Sequence, residues 1–382
     1  IARLLTLHPA GGFYIFGSKE INPFAGFMSA WAYFTGKMAS STLTIHTAVL
    51  LIQQIIPLFA TINALYIDAV ILSLFIALNM QHIRTGGTIQ TLFVVFKIIP
   101  ILFLFLTAIF LINGANFSST HQIWSGIPST LPLVLYAIIG FEAACSLSSK
   151  IHDAKKNAPR AIFISYGIVI LIASVYQLLF YGVLGNLFTT FSDFRNPFPA
   201  LLDVLLPHNA RLGDIITGIL HLGIAASALG GSYGIIYSNN WNLYTLAQHG
   251  HTFAPSWLTQ FNKHQIPWLC VVIEGLLGAL YFTITGGYQI TLQQLGALGC
   301  VIAYTISVLS LMYAKKNGRE TETSWWIPLL GLGSCSLLIT SCVYSLIHSG
   351  AGSLITFALL LLFGVFMFSK TPGRPLTQLE SN

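Results

Sequence analysis

The stretch Leu131-Pro132-Leu133-Val134-Leu135-Tyr136-Ala137-Ile138-Ile139-Gly140-Phe141-Glu142-Ala143-Ala144-Cys145-Ser146-Leu147 decides how this chain is read. It is an apolar run of nearly span length, interrupted past its middle by Gly140-Phe141-Glu142. An ionisable group inside a spanning segment costs a few kcal/mol at least, so it marks a functional site by default. The glycine beside it weakens a helix by about 1 kcal/mol relative to alanine and lets the backbone leave helical geometry. In hydrocarbon, broken backbone is tolerated only against protein or a watery cavity. The pattern therefore predicts a helix broken at Gly140, facing one or the other. Behind it the chain turns basic at Lys150, Lys155, Lys156 and Arg160, with Asn157 and Pro159 between.

Working outward, the chain has 382 residues, of which 55% are hydrophobic and 7% charged. A soluble domain carries about 25% charged residues. Repeated apolar runs of roughly 20 residues each match the ~30 Å of a bilayer's hydrocarbon. They predict an integral membrane bundle with spans near 25–52, 62–80, 89–112, 130–147, 161–184, 215–247, 267–284, 295–313, 325–346 and 354–368, about ten in all.

The formal net charge of +6 would suggest nucleic acid in a soluble protein. Here the basic residues fall in short loops, and no nucleic-acid partner is expected. With ten spans, Arg3, Lys19, Arg84, the 150–160 cluster, Lys263, Lys315, Lys316, Arg319, Lys370 and Arg374 share one side. The positive-inside rule makes that side the cytoplasm and the C-terminus cytoplasmic. The opposite loops carry Arg195 and Arg211, in the long 185–213 connection. Cys145, Cys270, Cys300, Cys335 and Cys342 lie in apolar runs without metal-like spacing and read as buried small hydrophobes. No nucleophile elbow, phosphate loop or zinc spacing occurs, so neither an enzyme nor a cofactor is expected.

Two lysines fall inside spans. Lys37 lies about 12 residues into the first, roughly 18 Å deep, and Lys97 about 8 residues into the third, roughly 12 Å deep. A lysine stem snorkels from shallow positions but scarcely from mid-bilayer, so Lys37 needs an internal partner or water. Its depth is similar to that of Glu142 counted from the opposite face, which makes a Lys37–Glu142 pair the candidate.

Pro9-Ala10-Gly11-Gly12-Phe13-Tyr14, then Asn22-Pro23-Phe24-Ala25-Gly26-Phe27 with Trp31, resembles the loop between the second and third helices of the amino acid–polyamine–organocation (APC) superfamily of permeases. Gly140-Phe141-Glu142-Ala143 with Lys155-Lys156-Asn157-Ala158-Pro159-Arg160-Ala161-Ile162 resembles its sixth-helix break and the loop behind it. Leu246-Ala247-Gln248-His249-Gly250 with Pro255 is similar to the segment after its eighth helix. Asn239, Asn240 and Trp241 stand where that family usually has an arginine, and Lys150 lies near where it often has an acid. No inner-gate ion pair is carried over.

The resemblance implies an all-α membrane protein with the leucine-transporter-like inverted-repeat bundle, about ten full transmembrane helices being present (family helices 3–12). Because the chain opens at Ile1, the first helix and most of the second are expected to be missing, as in a fragment. A single transporter domain, 1–382, then divides into the end of helix two and a cytoplasmic loop (1–24), the rest of the first repeat (25–112), the second repeat (128–313), two extra helices (325–368) and a cytoplasmic tail (369–382). The implied activity is secondary transport of amino acids or related amines, coupled to a proton or a counter-substrate and independent of sodium. Its partners are the amino acid, the proton or counter-substrate, and the lipid bilayer of a cell or inner membrane. Oligomeric state is not legible. The rival, from another class, is a non-transporting remnant or regulatory subunit of the same fold.

By the same resemblance Glu142 serves gating or proton coupling, the alternative being a structural hydrogen bond to a neighbouring helix. Lys97 matches a fifth-helix lysine of sodium-independent members, the alternative being a snorkelling anchor. Lys37 falls on the third helix, where it neutralises Glu142 or faces the substrate and disfavours cations, the alternative being a lysine buried in its neutral form. Around the break, Tyr136 is the candidate aromatic lid and Ile139, Gly140 and Phe141 the wall, while Ser232 and Tyr233 lie where the eighth helix passes the site. Aromatic and small residues at helical spacing are more often packing. His46 and His221 are lone mid-span histidines, His249 and His251 lack a third metal ligand, and Glu274 is expected to pair within the bundle.

Overall fold

The computed structural model describes residues 1–9, 12–81, 83–118, 127–148, 151–191, 195–206, 210–371 and 373. Ala10, Gly11, Lys150 and Arg374, all used above, lie outside the described residues, as does the Arg84 side chain. In chain order the α-helices are α1 (Ala2–Leu7), α2 (Phe13–Glu20), α3 (Pro23–Ile55), α4 (Pro57–Ala60), α5 (Ala64–Asn79), α6 (Ile83–Ala108), α7 (Ile127–Ile138) and α8 (Ala143–Ser146). They continue as α9 (Ala154–Leu184), α10 (Pro197–Leu205), α11 (Ala210–Gln248), α12 (Pro255–Leu258), α13 (Trp268–Thr285), α14 (Gln289–Lys316) and α15 (Trp326–Lys370).

Helix α3 is the axis of the bundle. The Asn22 side chain caps it by accepting from the Ala25 N–H at 2.8 Å, and Pro23 occupies the first turn, where no N–H is needed. Its 33 residues are packed on by α2, α11, α13, α14 and α15, so Ser29, Thr35, Lys37, Ser40, Ser41 and Thr42 are all buried. Thr35 donates to the Trp31 carbonyl at 3.0 Å and Thr42 to the Met38 carbonyl at 2.9 Å, both within α3, whereas the Ser40 hydroxyl closes no hydrogen bond among the described residues.

Among the described residues, seven helical segments are long and apolar enough to cross a membrane: Gly87–Ala108, Ala154–Leu187, Arg211–Gln248, Trp268–Thr285, Gln289–Lys316, Trp326–His348 and Ala351–Lys370. The chain is an integral, multi-pass membrane protein. This corrects the expectation of about ten full spans in a leucine-transporter-like inverted-repeat bundle; among the described residues it is an all-helical bundle with seven apolar spans. Three of the expected runs differ for separate reasons. Helix α3 is long, but a helix buried in protein needs no lipid-like surface, and its hydroxyls, lysine and histidine lower its hydropathy. Helix α5 has 16 residues, too few for the full ~30 Å of hydrocarbon. The 130–147 run is split at Gly140 into α7 and α8.

The two last spans belong to one helical segment, α15, yet run in opposite directions. Gln294 donates to Ser345 while a Cβ on Gly331 would meet Val308, so Trp326–His348 is antiparallel to α14. Phe27 packs on Phe368 and Trp31 donates to the Leu360 carbonyl at 2.8 Å, so Ala351–Lys370 is antiparallel to α3. As α3 and α14 are themselves antiparallel, with Gly36 against Gly299 and Ser40 against Gly296, the chain doubles back between the two spans.

One end of the bundle is tied by ions. Arg3 Nε lies 2.9 Å from Glu320 Oε2, and a second guanidinium nitrogen pairs with Glu322. Glu20 joins His8 at 2.7 Å to Arg319 at 2.8 Å. These contacts gather the ends of α1, α2 and α14 on one face.

Candidate functional site

The break at Gly140 follows from its neighbours. Gly140 has φ +125°, which L side chains rarely adopt, and its N–H is taken by its own near neighbour, Glu142 Oε2, at 2.7 Å. The carboxylate therefore replaces the helical acceptor that the break removes. Glu142 Oε1 accepts from the Tyr33 hydroxyl at 3.1 Å and from Lys37 Nζ at 2.9 Å. Tyr33 and Lys37 stand four apart on α3, hence on one face. Lys37 Nζ also lies 5.7 Å from the centroid of the Tyr33 ring. Phe13 packs on Tyr33 at 4.5 Å, and Tyr304 on Phe141 at 6.0 Å, closing aromatic walls around the pair.

In front of the pair lies a cavity of about 920 Å³ bounded by α3, α6, α7, α8, α9 and α11. Helical periodicity decides who lines it. Lys37, Ser40 and Thr44 come from one stripe of α3, Gln90, Val94 and Lys97 from α6, and Ser227, Gly231, Gly234 and Ser238 from α11. Tyr136, Ile139, Gly140 and Phe141 form the wall at the break, and the Tyr136 hydroxyl reaches the Ser40 carbonyl at 3.4 Å. Among the described residues both in-span lysines line this cavity and no carboxylate does; Glu142 is fully buried behind the wall.

Ser232 and Tyr233 point elsewhere. Ser232 Oγ bonds Ser41 Oγ at 2.6 Å, and Tyr233 meets Phe75 edge-on at 5.6 Å, so both serve the packing of α11 on α3 and α5. The residues just beside them in sequence, Gly231 and Gly234, carry the cavity face.

Sequence reasoning missed Tyr33, Gln90, Tyr304 and Asp68. Asp68 is a carboxylate in an apolar run, the same signal that exposed Glu142. It is fully buried on α5 and bonds His46 Nδ1 of α3 at 2.6 Å. His249 Nδ1 bonds the Thr245 carbonyl at 2.8 Å, and His251 bonds the Tyr14 hydroxyl at 2.9 Å. Burial, with His249 nearby, pushes His251 down to about 4. Among the described residues no group of three or more His, Cys, Asp or Glu is placed to hold a metal.

Comparison with known proteins adds the family. The model of a family described as "Amino acid permease" matches residues 3–371. The low-affinity putrescine importer PlaP of Escherichia coli (strain K12) is 23% identical over 334 residues, covering 84% of this chain and 71% of that protein. The uncharacterized transporter Rv1999c of Mycobacterium tuberculosis (strain ATCC 25618 / H37Rv) is 23% identical over 365 residues, covering 92% and 77%. The aromatic amino acid transport protein AroP of Escherichia coli (strain K12) is 23% identical over 321 residues, covering 80% and 66%.

Proposed function

This chain belongs to the amino acid permease family, and on that premise we propose that it carries zwitterionic amino acids in preference to diamines, coupled to a proton or a counter-substrate and independent of sodium. That it is a secondary transporter of amino acids or amines follows from the family. The finer reading rests on one observation: the cavity is lined by Lys37 and Lys97, while its carboxylate, Glu142, is withdrawn behind the wall and paired.

A cavity whose lining charges are ammonium groups attracts a substrate carboxylate and repels a second cation. Putrescine, named in one relative and aromatic amino acids, named in another, thus fall on opposite sides of this filter. Glu142 supplies the proton step. When it is protonated its hold on Lys37 weakens, and Lys37 becomes available to a substrate carboxylate at the Gly140 break. Lys97 fixes positive charge on the opposite wall. Tyr136 covers the substrate, and Ile139 and Phe141 shape the site. The face that carries Arg3, Lys19 and Arg319 is the cytoplasmic one, and the C-terminus lies there too.

Uptake by proteoliposomes of labelled phenylalanine, alanine and putrescine, with and without an inward proton gradient and with and without sodium, tests this. The expected result is phenylalanine or alanine uptake that ignores sodium and exceeds putrescine uptake. Putrescine carried as well as the amino acids would overturn the charge filter, and stimulation by sodium would overturn the coupling.

A further inference from the structure

Glu274 of α13 is fully buried, and neither of its carboxyl oxygens closes a hydrogen bond. The helices packed around α13 set no charge against it. Lys37 of α3 is held by Glu142, and His46 of α3 and Asp68 of α5 hold each other. Helix α11 brings Asn239 and, beside the Cys270 thiol one turn before Glu274, Tyr244. No charged group of α12 or α14 acts on it among the described residues. A carboxylate so placed, with no hydrogen bond closed and no counter-charge, is strongly unfavourable as an ion, whereas the acid form is not.

What lies against it is a polar line leading out of the scaffold. Asn239 donates to the Phe34 carbonyl at 3.0 Å and accepts from Asn242 at 3.1 Å. Asn242 in turn donates to Ser146 Oγ at 3.0 Å, on α8, one turn beyond Glu142. Phe34 follows Tyr33, the donor to Glu142.

We infer that Glu274 is a second proton-binding carboxyl, read out through Asn239 and Asn242 at Ser146 and at the Tyr33–Phe34 segment that holds Glu142. When the proton leaves, the carboxylate draws the amide hydrogens of Asn239 to itself, because that amide is the donor beside it. The hold on the Phe34 carbonyl loosens, and Asn242 and Ser146 follow. When the proton returns to a carboxyl oxygen, Asn239 goes back to Phe34. Cys270 does not enter this exchange.

The coupling half of this inference rests on the transport reading above, while the proton-binding half does not, and the experiment separates them. Infrared difference spectra of the full-length chain and of Glu274→Gln are compared across pH. The expected result is a protonated-carboxyl band in the unaltered protein that is lost in Glu274→Gln and fades on alkalinisation; absence of such a band overturns the proposal whatever is transported. In proteoliposomes loaded with alanine or phenylalanine, Glu274→Gln is expected to keep counterflow but lose all stimulation by a proton gradient. Ser146→Ala is expected to keep the infrared band and lose the stimulation. Gradient stimulation unchanged in both variants overturns the coupling half, and a band with no uptake of either probe upholds proton binding while the transport reading fails.

Discussion

Gly36 of α3 and Gly299 of α14 cross backbone against backbone: a Cβ on Gly36 would lie 2.6 Å from the Gly299 Cα, and one on Gly299 2.5 Å from the Ala32 carbonyl oxygen. Neither neighbour is a side chain that can swing away. Even Gly299→Ala must push the helices apart, and Gly299→Leu more so. We expect Gly299→Ala to destabilise by about 1–3 kcal/mol, with Leu worse, as overpacked contacts do. Thermal unfolding in detergent checks this; an unchanged midpoint for Leu would show that α3 and α14 do not meet there.

The Lys37–Glu142 pair predicts strong non-additivity. Glu142→Gln leaves a buried ammonium without its counter-ion, which costs about 3–5 kcal/mol in comparable buried pairs. Lys37→Met added to Glu142→Gln should recover part of that loss, because the stranded charge goes with it. A double-mutant cycle on unfolding midpoints measures the coupling. Losses that simply add would mean the two groups do not share a bond.

Asp68 and His46 should behave as a second such unit. Asp68→Asn removes a buried charged acceptor whose hydrogen bond to His46 is worth about 1.5–3 kcal/mol. The ring of His46 also lies against Gly287, which has φ +80°, with a Cβ there only 2.6 Å from the ring. Gly287→Ala is therefore expected to lower the unfolding midpoint as Asp68→Asn does, and the two effects should be sub-additive. Full stability of Asp68→Asn would remove the pair from the account.

How much of this was legible beforehand follows the range of each signal. Glu142 and Gly140 announced themselves because a carboxylate and a glycine in an apolar run are local anomalies, and depth along the helix was enough to single out Lys37. Asp68 carried an equal anomaly in the run 64–79 and was overlooked. The facing of α11 was not legible: choosing Gly231 and Gly234 over Ser232 and Tyr233 needs a rotation about the axis that hydropathy does not give. Tyr33 was hidden for another reason, since its partner Glu142 is 109 residues away in sequence. The span count failed where burial by protein stands in for burial by lipid, as at α3.

Acid should weaken the fold through His251. Its ring is buried at Tyr14 and Phe368, and burial lowers it from 6.5 to about 4. Between these values the unfolded chain binds a proton that the folded chain does not. Stability therefore rises with pH across that window and falls as pH drops from 6.5 towards 4. His251→Gln keeps a partner for Tyr14 but cannot titrate. The unfolding midpoint of the unaltered protein should fall over this window more than that of the variant; parallel curves would sink the assignment.

The polarity of α3 bears on how the molecule is made. A segment carrying Thr35, Lys37, Ser40, Ser41 and His46 is a poor substrate for insertion on its own, and it emerges from the ribosome long before α11 and α14, which shelter those groups. Nascent chains that stop short of α11 should hold α3 loosely and expose it to quality-control proteases, whereas chains that include α14 should not. Protease protection of staged truncations would show the switch.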